Sequence, residues 1–240
     1  MSSVAAASPY ALNPQLQPQI LQLGAEQCPV LVLDQLLADT SALVQQARQS
    51  QFSDVRSYLY PGVRAPLPKA YVLELLQALA PLVRQLYQIP PELKVQAGDC
   101  SFSLITKAPA ELKPMQRLPH FDTTEPYVFA LLHYLDGGEH GGTGFFRQRS
   151  TGIDRVSDAN KEVYFNSLQQ FVDTRGLTEG YFQQGNEHFE LYQALDYQPN
   201  RLLLYPGNLL HSGLVNPATD ISAAIPGGRL TANLFIRFSE

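Results

Sequence analysis

Two cysteines, Cys28 and Cys100, are all the chain of 240 residues contains, too few for a disulfide framework and not at zinc-type spacing. They read as buried thiols in a reducing compartment. Positive charge is scarce too: 17 Lys and Arg stand against 22 Asp and Glu, a net charge of -5, with a pI near 5.5. The basic stripe that phosphate binding needs is missing, so no nucleic-acid partner is expected. No apolar run approaches the roughly 20 residues of a spanning helix. Met1 to Tyr10 has no basic start followed by an apolar core, so no secretory signal is expected either. These absences together lead to the expectation of a cytoplasmic protein without a membrane partner.

The composition, 45% apolar and 16% charged, is that of a globular chain able to bury a sizeable core. Residues 1–27 are rich in Ala, Ser, Pro and Gln, with Pro9, Pro14 and Pro18 spaced against a helix, and read as a flexible arm. A short strand from Pro29 to Asp34 follows, then an Asp39-Thr40-Ser41 cluster suited to capping a helix that carries Leu43, Val44 and Ala47. Residues 60–68 read as a proline-punctuated loop. A helix over 69–88 places Val72, Leu73, Leu76, Leu79, Val83 and Leu86 on one face, with Pro81 expected to kink or split it.

From Cys100 the texture changes to strands: 100–107, a continuously apolar 126–136, then 189–197 and 201–205 joined at Pro199-Asn200, and 228–238. Gly137 to Gly142 reads as an exposed turn. A helix over 158–173 stops at Gly176, inside a segment of about 140–188 that reads as a lid inserted between strands. Many short strands with Pro and Gly turns indicate a sandwich or jelly roll.

The chemistry concentrates in three places. In an extended Pro119-His120-Phe121-Asp122 segment, His120 and Asp122 point to one face and Phe121 to the other. An imidazole and a carboxylate thus delivered, joined by a distant histidine, form the two-His-one-carboxylate set that leaves positions open on Fe(II). His211, reached after the Tyr205-Pro206-Gly207 break, is the candidate third ligand. On the last strand Arg229, Thr231 and Asn233 share a face, so a guanidinium and a hydroxyl point together, suited to holding a carboxylate; the alternative is a salt bridge of Arg229 to a protein carboxylate. Among the other histidines, His133 should face away from this face, His140 lies in the glycine turn, and His188 has no partner in view. Arg56, Arg64, Arg147, Arg149 and Arg155 either face a ligand or stand solvated.

His120-Phe121-Asp122, Leu132-His133-Tyr134-Leu135-Asp136 before Gly141-Gly142, Pro206-Gly207 leading to His211, and Arg229-Leu230-Thr231 together resemble the Fe(II)/2-oxoglutarate-dependent dioxygenases, closest to the prolyl-hydroxylase-like branch. Tyr60-Pro61-Gly62-Val63-Arg64-Ala65-Pro66 and the Tyr205 to Gly213 stretch resemble a bacterial branch of that superfamily without an assigned substrate. The resemblance implies an α+β, mainly β fold: a double-stranded β-helix, or jelly roll, over 28–240, buttressed by N-terminal helices within 28–99. It implies that His120, Asp122 and His211 hold Fe(II), that Arg229, Thr231 and Tyr134 bind 2-oxoglutarate, and that O2 completes the reaction on an amino-acid, peptide or small-metabolite substrate. Tyr134 stands equally well as a core tyrosine. Two alternatives stay open: an inactive jelly-roll module that binds a ligand or protein, and a cupin-type metalloenzyme without 2-oxoglutarate. Oligomeric state has no signature in the sequence.

Overall fold

The computed structural model describes residues 8–54 and 60–240; Arg56 lies outside them. In chain order the elements are β1 (Gln19–Leu23), β2 (Cys28–Leu33), α1 (Ser41–Gln49), β3 (Ser53–Asp54), β4 (Gly62–Pro66), α2 (Lys69–Leu86), β5 (Lys94–Ile105), β6 (Val128–Tyr134), β7 (Thr143–Gln148), α3 (Lys161–Arg175), β8 (Phe189–Leu195), β9 (Leu202–Pro206), β10 (His211–Gly213) and β11 (Thr231–Ser239). The molecule is mostly β, with three α-helices among the described residues. An eight-stranded sheet runs β1-β2-β9-β6-β11-β5-β4-β3 and a three-stranded sheet runs β10-β7-β8. Every strand pair in both is antiparallel.

The two faces of the large sheet go into different cores, as strand alternation requires. Leu31, Leu33, Phe129, Leu131, Leu204 and Leu234 pack with Leu43, Tyr71, Leu75 and Val83 of α1 and α2. From the other face Val30, Val32, Ala130, Tyr134, Leu203 and Tyr205 meet Phe145 and Leu195 of the small sheet. A third cluster joins the small sheet's outer side to α3, through Phe146, Phe189, Tyr164 and Leu168. The layers are therefore helices, large sheet, small sheet, helix. The candidate site lies between the sheets.

The helix α1 starts where Asp39 Oδ1 accepts the Ser41 N–H at 2.8 Å, and α3 ends at Gly176, whose φ of 76° suits glycine. Several expectations need correction. The described part of the 1–27 arm is tied down: β1 pairs with β2 from Gln19↔Val32 to Leu23↔Cys28, and Tyr10 is buried against Tyr71. Apolar strand pairing outweighs the prolines before it. On α2 the buried face is Tyr71, Val72, Leu75, Leu79, Ala80 and Val83, while Leu73 is 55% exposed; the face is rotated because Tyr71 carries it. Pro81 lies inside one uninterrupted helix. Residues 62–66 form β4, not loop, because their backbone registers with β5 from Gly62↔Ile105 to Pro66↔Ser101.

Strands β8 and β9 do not form a hairpin. The Pro199-Asn200 corner carries the chain from the small sheet to the large one. The glycine stretch is exposed only at residues 137–139. A Cβ on Gly141 would strike the Leu214 carbonyl and one on Gly142 the Leu195 carbonyl, so both glycines serve close approach. The segment of about 140–188 contains β7, a full member of the small sheet, so residues added beyond that sheet begin after Gln148.

His133 faces the helical layer, as alternation predicts. Its Nδ1 lies 2.8 Å from the Tyr71 hydroxyl and its Nε2 3.1 Å from Asn200 Oδ1. Burial pushes its pKa from 6.5 down to about 4, against the Asn200 bond. A folded value below the unfolded one means the unfolded chain binds more protons in that window, so this contribution is full above pH 6.5 and is lost as pH falls toward 4. His133→Leu leaves the Tyr71 hydroxyl unpaired and should cost about 1–3 kcal/mol. The urea midpoint followed against pH should also decline less steeply between 6.5 and 4 in the variant than in the parent; equal slopes would discard the assignment.

Candidate metal centre

His120 and His211 meet through the backbone first. The His120 N–H donates to the His211 carbonyl at 2.9 Å and the His211 N–H to the His120 carbonyl at 2.8 Å, which adds the His120 segment to the small sheet beside β10. Two residues on, the Asp122 N–H donates to Gly207 O at 2.6 Å. Because Gly207 has no Cβ, Asp122 and Thr123 pack directly against the turn. Phe121 points the opposite way, onto Tyr164 and Phe165 of α3.

One ligand atom from each of His120, Asp122 and His211 falls within 4.8 Å of the other two. Asp122 Oδ1 is 3.8 Å from His120 Nε2, and Oδ2 is 3.7 Å from His211 Nε2. Ligands bonded at roughly 2.1 Å stand roughly 3 Å apart in neighbouring positions, so the three groups need to close by less than an ångström or two. His211 Nδ1 lies 2.9 Å from the Leu209 carbonyl. That bond assigns the proton to Nδ1 and leaves the Nε2 lone pair facing Asp122.

Electrostatics favour the same state. Burial pushes the His211 pKa down to about 4, opposed by its bond to Leu209. Burial and then His211 push His120 down to about 4, opposed by Asp122; the effect is firmer for His211, whose side chain is 8% exposed against 32% for His120. Burial raises Asp122 to about 6, opposed by His120 and Arg64. At neutral pH the set is therefore two neutral imidazoles and a carboxylate, the form a divalent cation needs. Asp122 Oδ2 is buried and has no hydrogen-bond partner among the described residues. An unpaired buried carboxylate oxygen between two imidazole nitrogens suits a divalent cation.

The centre opens on a cavity of about 320 Å³. Asn233 Oδ1, in a residue of its wall, is likewise buried and unpartnered among the described residues, and the buried hydroxyls of Tyr60 and Thr231, also in the wall, face each other, with Ser103 beside Tyr60. Arg229 also lines it, 4% exposed. Its Nε donates to Gly141 O at 2.7 Å and its Nη2 to Gly142 O at 3.2 Å, with Asp220 Oδ2 3.9 Å from Nε. One edge of the guanidinium is thus occupied by the protein, and Nη1 makes no hydrogen bond among the described residues.

Tyr134 does not reach the cavity wall. Its hydroxyl lies 2.8 Å from Thr143 Oγ1, and its ring lies 5.4 Å from the Arg229 guanidinium, so it supports the arginine from behind. Tyr60 does line the cavity: burial pushes that phenol up to about 12, with Arg229, Arg64 and hydrogen bonds to Ser103 and Thr231 opposing. The sequence marks Arg64 as either ligand-facing or solvated and Tyr60 only within a motif; their place in the cavity wall depends on β4, a strand that its prolines disguise. His140 is not a surface residue; its Nδ1 is 3.0 Å from Asp220 Oδ1, and that pair is 2% and 0% exposed. His188 pairs with Gln148 at 2.9 Å and stacks on Phe171. Arg147 and Arg155 pair with Asp154 and Glu26, and Arg149 donates to Asn186 O.

The chain matches no curated protein. Among solved structures it is similar to AviO1 from Streptomyces viridochromogenes Tue57, with 12% identity, a TM-score of 0.43, and 87% of this chain and 89% of that one covered. It is also similar to EvdMO1, with 13% identity and a TM-score of 0.42, where 95% of this chain spans 56% of that one. A third similarity is to a novel N-substituted L-amino acid dioxygenase from Burkholderia ambifaria AMMD, with 9% identity, a TM-score of 0.40, and 94% and 99% of the two chains covered. A family model matches residues 14–236, nearly the whole sequence, and the chain therefore belongs to the family described as a family of unknown function, DUF6445.

Proposed function

We propose that this chain is an Fe(II)- and 2-oxoglutarate-dependent oxygenase, a single domain over 28–240 built on a double-stranded β-helix and acting on an amino-acid, peptide or small-metabolite substrate. The observation that carries the reading is the convergence of His120, Asp122 and His211 to within 4.8 Å. Return of the chain from sheet to sheet between β6 and β11 supports the rolled architecture. Free Cys28 and Cys100, and the lack among described residues of a helix able to cross a membrane, support a reducing, cytoplasmic setting.

His120, Asp122 and His211 would hold the metal, and His211 is kept in the ligating tautomer by Leu209. Arg229 Nη1, Thr231 Oγ1 and the Tyr60 hydroxyl would hold the far carboxylate of the diacid; the last two are buried side by side in the cavity wall. With 2-oxoglutarate and O2, Fe(II) supplies oxidative decarboxylation of the cosubstrate coupled to oxidation of a substrate C–H bond. The protein orients the diacid between its two ends and keeps water out with Leu118, Leu132 and Val215, which line the cavity. The segment after Gln148 contributes Tyr181, whose hydroxyl donates to Lys107 O at 2.6 Å; this is the lid's contact with the cavity.

One observation favours a second reading, a metalloenzyme that uses no 2-oxoglutarate: Asp220 already stands 3.9 Å from Arg229. The two separate cleanly. Calorimetric titration of the metal-free protein with Co(II) should show one site, and His120→Ala or Asp122→Ala should weaken it by more than the roughly 10–100-fold that loss of an outer partner costs, with the circular dichroism spectrum retained. Unchanged Co(II) affinity in both variants refutes the centre. For the Co(II)-loaded protein, Arg229→Lys and Tyr60→Phe should each weaken 2-oxoglutarate binding about tenfold, or about 1.4 kcal/mol, and Tyr134→Phe should weaken it less than Tyr60→Phe. Co(II) binding with no 2-oxoglutarate affinity would give the second reading the field.

A further inference from the structure

The inner face of the large sheet is apolar on β2 and β9 and becomes polar on β4, β5 and the first half of β11. Register places Arg64 opposite Ser103, Ser103 opposite Thr231, and Ser101 opposite Asn233. From Arg229, just before β11, the residues Thr231, Asn233 and Phe235 on that strand lead toward the metal centre: Phe235 registers with Ala130 and Ala130 with Tyr205, whose ring is 4.8 Å from that of His211. Asn233 is therefore nearer the centre than the proposed diacid anchor.

These polar side chains form one network. Ser103 Oγ accepts from Arg64 Nε at 3.1 Å and from Asn233 Nδ2 at 2.8 Å. Arg64 Nη1 donates to Asp99 Oδ2 at 2.5 Å, and Ser101 Oγ donates to Asp99 Oδ1 at 2.8 Å. A purely structural network of this kind would close on itself, and this one does not. Asn233 Oδ1 is buried without a donor. Arg64 Nη2 makes no hydrogen bond among the described residues, and the Arg64 and Asp99 side chains are 15% and 50% exposed. All three residues border the cavity that holds His120 and His211. Asp99 and Asp122 also border a second recess of about 420 Å³ that continues toward Thr123 and Arg237.

We propose that Arg64, Asp99 and Asn233 form the substrate-recognition site, and that it takes the α-amino-acid group of a free amino acid or a close derivative. The carboxylate lies on Arg64 Nη2, the amino N–H groups on Asn233 Oδ1 and Asp99, and the side chain reaches past Asp122 into the second recess. Charge selects this class. Arg64 and Asp99 form an adjacent pair with no net charge, so a simple anion is repelled by Asp99 and a simple amine by Arg64, whereas a zwitterion complements both. The Asn233 carbonyl oxygen is buried without a donor among the described residues, and a bound N–H supplies one. Calling the ligand a substrate rests on the oxygenase reading; the binding site does not.

The test uses the full chain, metal-free and Co(II)-loaded, titrated by calorimetry with the common L-amino acids and, for each that binds, its carboxamide and its decarboxylated amine. At least one amino acid should bind, with both carboxylate-free partners weaker by tenfold or more, about 1.4 kcal/mol. Arg64→Gln and Asn233→Ser should each weaken that amino acid about tenfold while leaving Co(II) affinity within about threefold. No binding by any amino acid, equal binding of the amide or amine, or an undiminished affinity in both folded variants overturns the proposal. The comparison of amino acid with amide needs no variant, so a misfolded mutant does not spoil it. Amino-acid binding with the expected pattern but no Co(II) or 2-oxoglutarate affinity would uphold this site and sink the oxygenase reading instead.

Discussion

The reciprocal pair of backbone hydrogen bonds between His120 and His211 is the joint on which the site depends. Neither residue belongs to a long strand: β10 is three residues, and the 120 segment is a single bridge. What holds them is sheet on one side and turn on the other. His211 is registered with Phe145 of β7, and Phe145 is fully buried between the sheets. Asp122 hangs from the Gly207 carbonyl. The three groups can therefore be rigid without a local helix or hairpin, because a small sheet with two buried faces fixes each backbone.

Rigidity of that kind is what a buried polar cavity requires. Asp122 Oδ2 and Asn233 Oδ1 are unsatisfied among the described residues, and at about 1–3 kcal/mol each they would drive a soft structure to collapse or to rotate its side chains toward partners. Here they are held apart by the strands that carry them. Apolar layers on both sides, around Phe129 and Leu204 toward the helices and around Phe146 and Phe189 toward α3, supply the offsetting burial.

Much of this was visible in the sequence, for physical reasons that differ by element. Alternation in an extended segment sufficed for His120, Phe121 and Asp122, and for Arg229, Thr231 and Asn233, because a strand's period of two is insensitive to what lies around it. The continuous apolar run at 128–134 announced a strand covered on both faces, which β6 is. Information ran out wherever tertiary pairing decides. Residues 62–66 have the composition of a loop and become β4 only because β5 offers a register; Arg64 and Tyr60 stood in a readable motif, Arg64 as a residue that either faces a ligand or stands solvated, but no strand placed either of them in the cavity wall. Tyr134 sits on the correct face of β6, yet Thr143 on the opposite sheet captures its hydroxyl, and no local pattern encodes a neighbour in another sheet.

The anchor at Arg229 shows how far such non-local dependence extends. Its guanidinium is aimed by the carbonyls of Gly141 and Gly142, and that backbone is in turn fixed by Asp220, which accepts from the Gly141 and Asn216 N–H groups and faces His140 Nδ1. Asp220 is fully buried, so its charge needs Arg229 nearby as much as Arg229 needs a counter-charge. At 3.9 Å the pair is close enough to lower the cost of burying both, yet too long for a hydrogen bond. Arg229 is thereby kept buried, charged and only partly committed. An arginine fully paired with Asp220 would have little left for a ligand, and one with no carboxylate nearby would bear the full cost of burying its charge. The glycine stretch, whose exposed half suggested a surface turn, is through its buried half the frame that sets this balance.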